Sequence, residues 1–306
     1  MTVQNILIVG ATGQQGGAVI KALLNLPQAS TRFNILALTR NAHSERAKAL
    51  AEAHKGTVEL VEGDNADPGP IFASRPKGSI DSVFIVTVMM GNNVSEEQQA
   101  IPLIDAAVEH GVKHIVFTSV DRGGDEKSWT NPTHVKHFLT KHNVELHLRD
   151  KAEKQPGRFT WTILRPVAFM DNFEPGMMCT MLTAMLAATM SPDRKLQLVS
   201  VRDIGLFAAQ ALSDPAKWSG KAVGLAGDAL TLAEIREKFA KVTGQQIPEA
   251  WTIVGRAALW AMKEMKDMLE FFENEGYGVD IEARRREVPM QDFETWLREE
   301  SKWMKK

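Results

Sequence analysis

The sequence predicts an α/β protein with a doubly wound parallel sheet, in which helices cover both faces of the sheet. Short apolar runs rich in Val, Ile and Leu alternate with helical patterns over the first two-thirds of the chain. This alternation is typical of a parallel sheet with helices on both sides. A glycine-rich turn, Gly10–Gly16, also joins the first apolar run directly to the first helical pattern. The N-terminal part of the chain is therefore expected to form a large α/β domain.

The candidate strands are near-continuous apolar runs, as expected of parallel strands that are buried on both faces. In chain order they are Ile6–Val9, Asn34–Thr39, Val58–Glu62, Ser82–Val88, Ile115–Ser119 and Thr160–Leu164. The helical patterns between them are Gly16–Leu26, Ser44–His54 and Ser95–His110. The last of these helices opens with Ser95-x-x-Gln98, which is the signature of a capping box.

After Arg165-Pro166 the pattern becomes mainly helical. The expected strands and helices are Pro175–Met190 (helix), Leu196–Val201 (strand), Asp203–Leu212 (helix, N-capped by Asp203), Lys221–Leu225 (strand), a helix capped by Thr231 that ends near Gly244, and helices over Val254–Asn274 and Asp292–Lys305. We therefore expect a smaller, mainly helical C-terminal lobe, formed by residues 166–195 and 227–306. Residues 1–165 would form the large domain, and residues 196–226 would return to it.

Composition and charge exclude several classes of protein. The chain has 306 residues, of which 44% are hydrophobic and 24% charged, near the averages for globular proteins. No apolar run approaches the ~18 uncharged residues of a membrane span. The net charge of −2 argues against sequence-independent binding of nucleic acid, which needs a basic face. The N-terminus lacks the basic region of a signal peptide. We expect a cytoplasmic protein without a membrane partner, with the nucleus as the alternative location.

The glycine-rich turn has the spacing of a dinucleotide-binding loop. It reads Gly10-Ala11-Thr12-Gly13-Gln14-Gln15-Gly16, directly after a predicted strand. In such a loop Gly10 permits the tight turn, Gly13 lets the backbone approach a pyrophosphate, and Gly16 lets the helix pack against the sheet. The helix N-terminus offers N–H groups and a partial positive charge to the phosphates. The alternative is a glycine-rich turn that binds no ligand.

The end of the second strand favours NADP(H) over NAD(H). A site for NAD would place Asp or Glu there to bind the ribose 2′-OH. The sequence instead has Thr39-Arg40, and the first acidic residue is Glu45. A guanidinium is suited to a 2′-phosphate, although Arg40 could also be a solvated residue at the start of a helix. After the third strand, Asp64 and Asn65 are placed to contact the adenine.

The fourth strand is followed by Thr87-Val88-Met89. Carboxyl ends of parallel strands meet at one edge of the sheet, where the cofactor of a doubly wound fold binds. Thr87 and Val88 are therefore expected to run beside the middle of the cofactor.

The motifs together resemble the NmrA-like family, an atypical branch of the short-chain dehydrogenase/reductases. The resemblance rests on GATGQQG at the N-terminus, LTR after the second strand and VEGD after the third. It continues in HGVKHIVFTSV (110–120), HFLTKHNVELHLRD (137–150), TILRPVAFMDNF (162–173) and VSVRDIG (199–205). It covers residues 4–245. It implies a Rossmann domain that binds NADP(H), with the smaller lobe capping the substrate.

The resemblance also implies catalytic positions. Typical members of the superfamily use a Ser and a Tyr-x-x-x-Lys, in which Tyr is the acid and Lys binds the nicotinamide ribose. Ser119 falls at the serine, and His137 and Lys141 have the four-residue offset that places both on one side of a helix. His137 replaces the tyrosine, and the only tyrosine of the chain is Tyr277. His137 could act as an acid near neutral pH or could merely occupy the position.

The segment after Arg165-Pro166 is implied to lie beside the nicotinamide. By resemblance, the backbone of Phe169, Met170 and Asn172 flanks the ring, and the following helix roofs the pocket. Four methionines of that helix have adaptable side chains that would suit a bulky apolar substrate: Met177, Met178, Met181 and Met185. A stripe of core methionines is an equally good interpretation.

Two further patterns are interpreted as structural. The histidines at 134, 137, 142 and 147 lack a His-Glu-x-x-His motif or a cysteine partner, since the single cysteine is Cys179. We therefore expect no metal site there. The basic run 284–286 is interpreted as a solvated helix face, with nucleic-acid binding as a minor alternative.

Two functions from different classes fit these features. The first is an NADPH-dependent reductase of a carbonyl, imine or enone in a small apolar molecule. The second is a dinucleotide sensor whose NADP(H)-bound state changes its contact with a regulatory protein partner. A redox-neutral isomerase or cyclase is a third alternative. The fold by itself does not separate them.

Overall fold

The computed structural model describes residues 3–88 and 94–304 and contains ten strands in those ranges. They are β1 (Gln4–Ile8), β2 (Phe33–Thr39), β3 (Val58–Glu62), β4 (Ser82–Ile85), β5 (His114–Thr118), β6 (Thr160–Pro166), β7 (Ala168–Phe169), β8 (Leu196–Val199), β9 (Lys221–Leu225) and β10 (Asp228–Leu230). Seven of them form one sheet, in the order β3-β2-β1-β4-β5-β6-β9. Strands β1 to β6 pair in parallel. The predicted doubly wound fold is confirmed.

The helices are α1 (Gln14–Leu24), α2 (Ala29–Arg32), α3 (Glu45–Ala53), α4 (Gly69–Ala73), α5 (Glu96–His110), α6 (Lys136–Lys154), α7 (Met177–Thr189), α8 (Val201–Ser213), α9 (Pro215–Trp218), α10 (Leu232–Thr243), α11 (Thr252–Ala261), α12 (Lys263–Asn274), α13 (Ile281–Glu287) and α14 (Phe293–Glu299). Two short 3₁₀ helices cover Lys127–Trp129 and Met170–Phe173. None of the helices in the described ranges is both long and apolar enough to span a bilayer.

The chain order of the sheet reverses at β1. From β1 the chain moves outward through β2 and β3, and then returns to the other side of β1 to form β4. In open α/β sheets such a reversal leaves a crevice at the carboxyl ends of the strands, where ligands bind. The sheet order therefore places a crevice beside the carboxyl ends of β1 and β4.

Two compact units make up the chain. The first consists of Met1–Ser119, Thr140–Arg165 and Ile204–Val223. Its sheet is fully apolar at the centre, where Ile6, Leu7 and Ile8 are inaccessible to solvent. Helix α8 packs so closely on α1 that a Cβ at Gly205 would lie 2.6 Å from the backbone of Ala18.

The second unit consists of Val120–Leu139, Pro166–Asp203 and Gly224–Lys306. It contains a three-stranded sheet in the order β10-β8-β7. Its core is rich in aromatic side chains, with Phe173, Phe239, Phe271, Phe293 and Trp296 all inaccessible to solvent. Strand β8 therefore pairs within this small sheet, whereas β9 lies at the edge of the large one.

The local signals give the predicted elements to within a few residues. Both capping boxes form, with Ser95 at α5 and Thr231 at α10. Strand β4 ends three residues earlier than predicted, because residues 86–88 leave the sheet. There the backbone N–H and C=O of Val88 bond to the side chain of Gln99, at 3.0 and 2.9 Å.

Three predictions for the C-terminal helices are wrong. The stretch Val254–Asn274 is two helices, since Met262 between α11 and α12 has a non-helical backbone (φ −118°, ψ 77°). Asp203 is not an N-cap: α8 begins at Val201, and Ser200 Oγ accepts the hydrogen bond from the Asp203 N–H. The last helix ends at Glu299 and not at Lys305, which lies outside the described residues.

Candidate functional site

The glycine-rich turn has the geometry of a phosphate-binding loop. Gly10 has φ +66°, in the left-handed region, and its C=O accepts a hydrogen bond from the Gly13 N–H at 2.8 Å. Gly13 is the N-cap of α1 and is exposed. A Cβ at Gly16 would lie 2.3 Å from the Gly10 oxygen, which cannot move without opening the turn. Gly16 is thus required by packing, whereas Gly13 leaves the helix N-terminus open to a ligand.

A cavity of about 440 Å³ lies beside this turn, within the first unit. It brings together seven of the predicted cofactor residues, Gly10, Thr12, Gly13, Thr39, Arg40, Asn65 and Val88. It is also lined by Val9, Leu38, Asn41, Ser44, Arg46, Gly63 and Val86. The carboxyl ends of β1 to β4 therefore open into one crevice, as the sheet order requires.

The far end of the cavity is basic. Arg40 follows β2, and Arg46 lies in the first turn of α3. Ser44 caps α3, with its Oγ accepting from the Ala47 N–H at 3.3 Å. Among the described residues that line the cavity, none is Asp or Glu. Two guanidinium groups and a helix N-terminus here suit a phosphate group.

Sequence reasoning missed Arg46 and Ser44 as lining residues. Their signal was present, since Ser44-Glu45-Arg46 opens a helical pattern four residues after Arg40. A helix that starts there presents the first-turn side chains and N–H groups at the strand end. The residues of the cavity fit a dinucleotide with a 2′-phosphate: an exposed glycine at one helix N-terminus, and two arginines at the other.

The side chains of two predicted cofactor residues form other contacts. Gln15 Oε1 accepts a hydrogen bond from the Thr118 hydroxyl at 2.8 Å. Asp64 Oδ1 accepts from the Ala66 N–H at 2.9 Å and so stabilises its own turn. Gln14 is exposed and, like Gln15, Gly16, Asp64 and Thr87, is not among the lining residues. Met89 lies outside the described residues.

Lys141 lies in a buried polar cluster of the first unit. Its Nζ donates to Thr87 Oγ1 at 2.9 Å and lies 3.0 Å from Glu96 Oε1. The two oxygens of Glu96 also accept from the hydroxyls of Thr87 and Thr140, at 2.7 and 3.0 Å. Lys141 thus reaches the carboxyl end of β4, the strand end predicted to run beside the cofactor.

The charge of Glu96 is stabilised by this cluster. Burial alone would raise the pKa of the Glu96 carboxyl, but the Lys141 charge and the hydrogen bonds from Thr87, Lys141 and Thr140 hold it below the ordinary value. The sequence signalled Glu96 only as a residue of a capped helix start. Its partner lies 45 positions away, and only the fold brings the two together.

Ser119 is buried just after β5, and its N–H donates to the Leu164 C=O at 2.7 Å.

His137 belongs to the second unit and is held by a carboxylate. His137 Nδ1 lies 2.9 Å from Glu264 Oε1, and the same oxygen accepts from the His137 backbone N–H at 3.2 Å. The His137 ring also contacts the edge of the Phe138 ring, with centroids 4.6 Å apart. The His137 side chain is therefore both hydrogen-bonded to a carboxylate and packed against an aromatic ring. Sequence reasoning missed Glu264, because nothing in its local pattern sets it apart.

The segment predicted to flank the nicotinamide is anchored in the second unit. The Met170 side chain is fully buried in the core of that unit, so only the backbone there could face a ligand. Asp171 Oδ2 accepts from the Val201 N–H at 2.9 Å, and burial raises the pKa of this carboxyl. Phe169 and Asn172 are half-buried.

The four methionines of α7 divide between the two interpretations. Met185 lies in the core, and Met181 packs against it. Met177 and Met178, at the start of the helix, are 82% and 51% exposed. The core interpretation thus holds for the second pair, and the first pair presents an apolar surface.

Two further groups of charged side chains are paired within the second unit. In the described ranges, His134, Asp267 and Glu270 place one potential ligand atom each within 4.8 Å of one another, but the carboxylates already pair with Lys263 and Lys266. In the basic run on α13, Arg284 pairs with Glu287 and Arg285 with Glu282. Both are i,i+3 pairs, but the interpretation of the run as a solvated face is wrong in part, because the Arg284 side chain is only 12% exposed and Arg285 also donates to the Gly227 C=O at 2.8 Å.

The sheet order, the glycine-rich turn and the crevice at the strand ends define a Rossmann-type fold. The NmrA-like family profile matches residues 2–297. The chain belongs to the NmrA-like family.

The proteins to which the chain is similar include an oxidoreductase in sequence and a transcriptional regulator in fold. An NmrA-like family domain-containing protein of Dictyostelium discoideum is 26% identical over 303 residues, which cover 96% of this chain and 97% of the relative. An NmrA-like family domain-containing oxidoreductase of Malbranchea aurantiaca is 28% identical over 268 residues, with 79% and 73% covered. The crystal structure of NmrA, a negative transcriptional regulator, in complex with NADP superposes with a TM-score of 0.71 at 19% identity and covers 99% of this chain and 100% of that one. At that identity the likeness establishes the fold.

Proposed function

We propose that this protein is an NADP(H)-dependent oxidoreductase that reduces a carbonyl, imine or enone of a small apolar molecule. The assignment of NADP(H) as the cofactor rests on the cavity of the first unit. It joins the glycine-rich turn to Arg40 and Arg46, and its described lining contains no carboxylate. A 2′-phosphate can pair with guanidinium groups, whereas the 2′-OH of NAD(H) would call for an acidic residue.

The chain would divide the work between its segments as the resemblance implies. The first unit, which holds the cavity and takes residues 204–223 of the predicted 196–226 stretch, would bind NADP(H), and residues 166–195 and 227–306 would cap the substrate. Asp64 and Asn65 lie at the adenine, and the backbone of Phe169, Met170 and Asn172 lies beside the nicotinamide. Bound NADPH supplies the hydride.

Three side chains would act on the reacting groups. Lys141 holds the nicotinamide ribose from its place at the end of β4, where Glu96 and Thr87 orient its ammonium. His137 donates a proton to the substrate atom that gains negative charge. Ser119, at the end of β5, is the third residue of the proposed catalytic set. Support comes from the oxidoreductase relative and from the polar orientation of His137.

The alternative is an NADP(H)-sensing regulator without turnover. The observation that favours it is the histidine at position 137, where the catalytic pattern has a tyrosine. A regulator of the same fold binds NADP. A sensor needs the cavity and Lys141 but no proton donor.

One experiment in two stages tests the proposal. NADPH, NADP⁺, NADH and NAD⁺ are first titrated into the protein by calorimetry. NADPH oxidation is then followed by absorbance with a panel of hydrophobic ketones, imines, enones and quinones. Tight NADP(H) binding with turnover supports the reductase. Tight binding with no turnover across the panel supports the sensor, and equal affinity for NADH and NADPH contradicts the cofactor assignment.

A further inference from the structure

A single carboxylate of α12 makes two contacts with the first turn of α6. Glu264 Oε1 lies 2.9 Å from Nδ1 of His137 and 3.2 Å from its backbone nitrogen. Both residues belong to the second unit, and the His137 side chain is only 12% exposed. The lysines beside Glu264 on α12 have other partners, since Lys263 pairs with Asp267 and Lys266 with Glu270.

This contact fixes which imidazole nitrogen carries the proton. A carboxylate accepts hydrogen bonds and donates none, so Nδ1 must be the donor to Glu264. In the neutral ring Nε2 is then the unprotonated nitrogen, and in the imidazolium Nε2 carries the proton that can be given to a substrate. The carboxylate also offsets the partial positive charge of the α6 N-terminus, which disfavours a positive ring at His137.

The ring is held by packing as well. The His137 and Phe138 rings meet edge to face, and Phe138 in turn contacts Phe271 of α12, with centroids 5.2 Å apart. Helix α12 therefore supports the residue pair 137–138 by a hydrogen bond and by an aromatic contact. Such support restricts rotation of a side chain that must meet a substrate at a fixed distance.

We propose that Glu264 is a positioning residue for proton transfer: it holds His137 as the Nδ1–H tautomer and stabilises the imidazolium from which Nε2 donates. The inference rests on the proposed reductase function. Glu264 acts through His137 and needs no contact with substrate or cofactor.

A purely structural role for Glu264, as the cap of α6, makes different predictions. Capping needs only an oxygen that accepts from the His137 backbone N–H. Glu264→Gln keeps that acceptor, and with it the Nδ1–H tautomer, but removes the negative charge. Glu264→Ala removes both. Glu270→Gln is the matched control, because it makes the same change on the same helix at a carboxylate that pairs with Lys266.

The first readout is spectroscopic and independent of turnover. The protein is labelled with ¹⁵N-histidine, and the His137 ring signals are assigned from their loss in His137→Phe. In the wild type at a pH where the ring is neutral, Nδ1 should carry the proton. In Glu264→Ala the ring should shift toward the Nε2–H tautomer, and in Glu264→Gln and Glu270→Gln it should not. An unchanged tautomer in Glu264→Ala overturns the inference.

The second readout is kinetic, with a substrate found by the panel. His137→Phe should lower kcat by about 10²–10⁴-fold, the usual share of general acid catalysis. Glu264→Ala should lose a large part of that factor with KM for NADPH unchanged, Glu264→Gln should fall between, and Glu270→Gln should match the wild type. Unchanged kcat in Glu264→Ala overturns this inference alone, whereas no turnover by the wild type overturns the reductase function with it.

Discussion

The Lys141 ammonium and the Glu96 carboxylate form an ion pair at 3.0 Å in the interior of the first unit, with side-chain exposures of 13% and 6%. Thr87 bonds to both members, so the lysine is fixed at the end of β4. A lysine that must meet a ribose would otherwise lose rotamer entropy when the cofactor binds. The ion pair therefore gives a physical basis to the proposed role of Lys141 in binding the nicotinamide ribose.

Removing the charge of Glu96 should destabilise the protein strongly. Glu96→Gln leaves the Lys141 charge buried without its counter-ion, and breaking a buried pair in this way typically costs about 3–5 kcal/mol. Urea unfolding followed by circular dichroism measures the loss. Glu97→Gln, at the neighbouring half-buried position, is the control and should change the free energy of unfolding by less than about 1 kcal/mol. Equal effects of the two variants would contradict the assignment.

The same pair predicts the response to acid. The pKa of Glu96 is lower in the folded state than its ordinary value of 4.5. Its stabilising contribution is therefore complete above pH 4.5 and is lost as the pH falls through the folded-state pKa. The wild type should lose more stability than Glu96→Gln below pH 4.5. Parallel curves in that range would mean that Glu96 is not selectively ionised in the folded protein.

The two arginines of the cavity should set cofactor preference. Arg40→Ala and Arg46→Ala should each weaken NADPH binding by about 1.5–3 kcal/mol, on the order of ten- to a hundredfold, because each removes a charge-assisted contact. NADH binding should change little. Calorimetric titration of both dinucleotides into each variant gives the ratio of the NADPH and NADH affinities. A variant that loses both affinities equally would place its arginine away from the 2′-phosphate.

Substitutions at Gly13 and at Gly16 should affect different properties, dinucleotide binding in the first case and stability in the second. Gly13→Val should abolish dinucleotide binding while the fold survives, because Gly13 is exposed at the α1 N-terminus and a side chain there would clash with the approaching pyrophosphate. Gly16→Ala should instead reduce stability, because its Cβ would overlap the Gly10 oxygen. Thermal unfolding and NADPH titration of both variants separate the two effects. Normal NADPH binding by Gly13→Val would exclude the turn as the phosphate site.

His114 should make the protein less stable in mild acid. Its ring is fully buried between Thr160 and Thr162, and burial lowers the pKa of the imidazole to about 4. Above pH 6.5 the residue is neutral in both states. As the pH falls from 6.5 toward 4, the unfolded chain takes up a proton that the folded one resists, so up to about 3 kcal/mol is lost. The free energy of unfolding of His114→Gln should fall less steeply over this range.

The wild type and His114→Gln must be compared by how steeply the free energy of unfolding changes with pH, because Asp203 titrates in the opposite sense. Burial raises the pKa of Asp203 to about 6. The folded state therefore takes up a proton as the pH falls through 6, which adds stability down to the unfolded value of 3.8. Both proteins contain Asp203, so the difference between their slopes isolates His114. Identical slopes would contradict the prediction.

The fold was predictable because its signals are local. Alternating strands and helices, the Ser95 and Thr231 capping boxes and the glycine spacing are read from neighbouring residues, and each is confirmed. The break of α11 and α12 at Met262 was missed, since both halves have helical periodicity and no Pro or Gly marks the join.

The sequence by itself determined the doubly wound sheet, the turn at Gly10–Gly16 and the arginine after β2, because backbone geometry and strand ends follow from local residue types. Only the tertiary structure decided what the polar side chains contact. Glu96 contacts Lys141 across 45 positions and Glu264 contacts His137 across 127, and the periodicity of the sequence does not predict such pairs. The same holds for Gln15, which bonds to Thr118, and Met170, whose side chain enters the core. Side-chain direction depends on which remote segments pack together, and packing is settled by the whole chain.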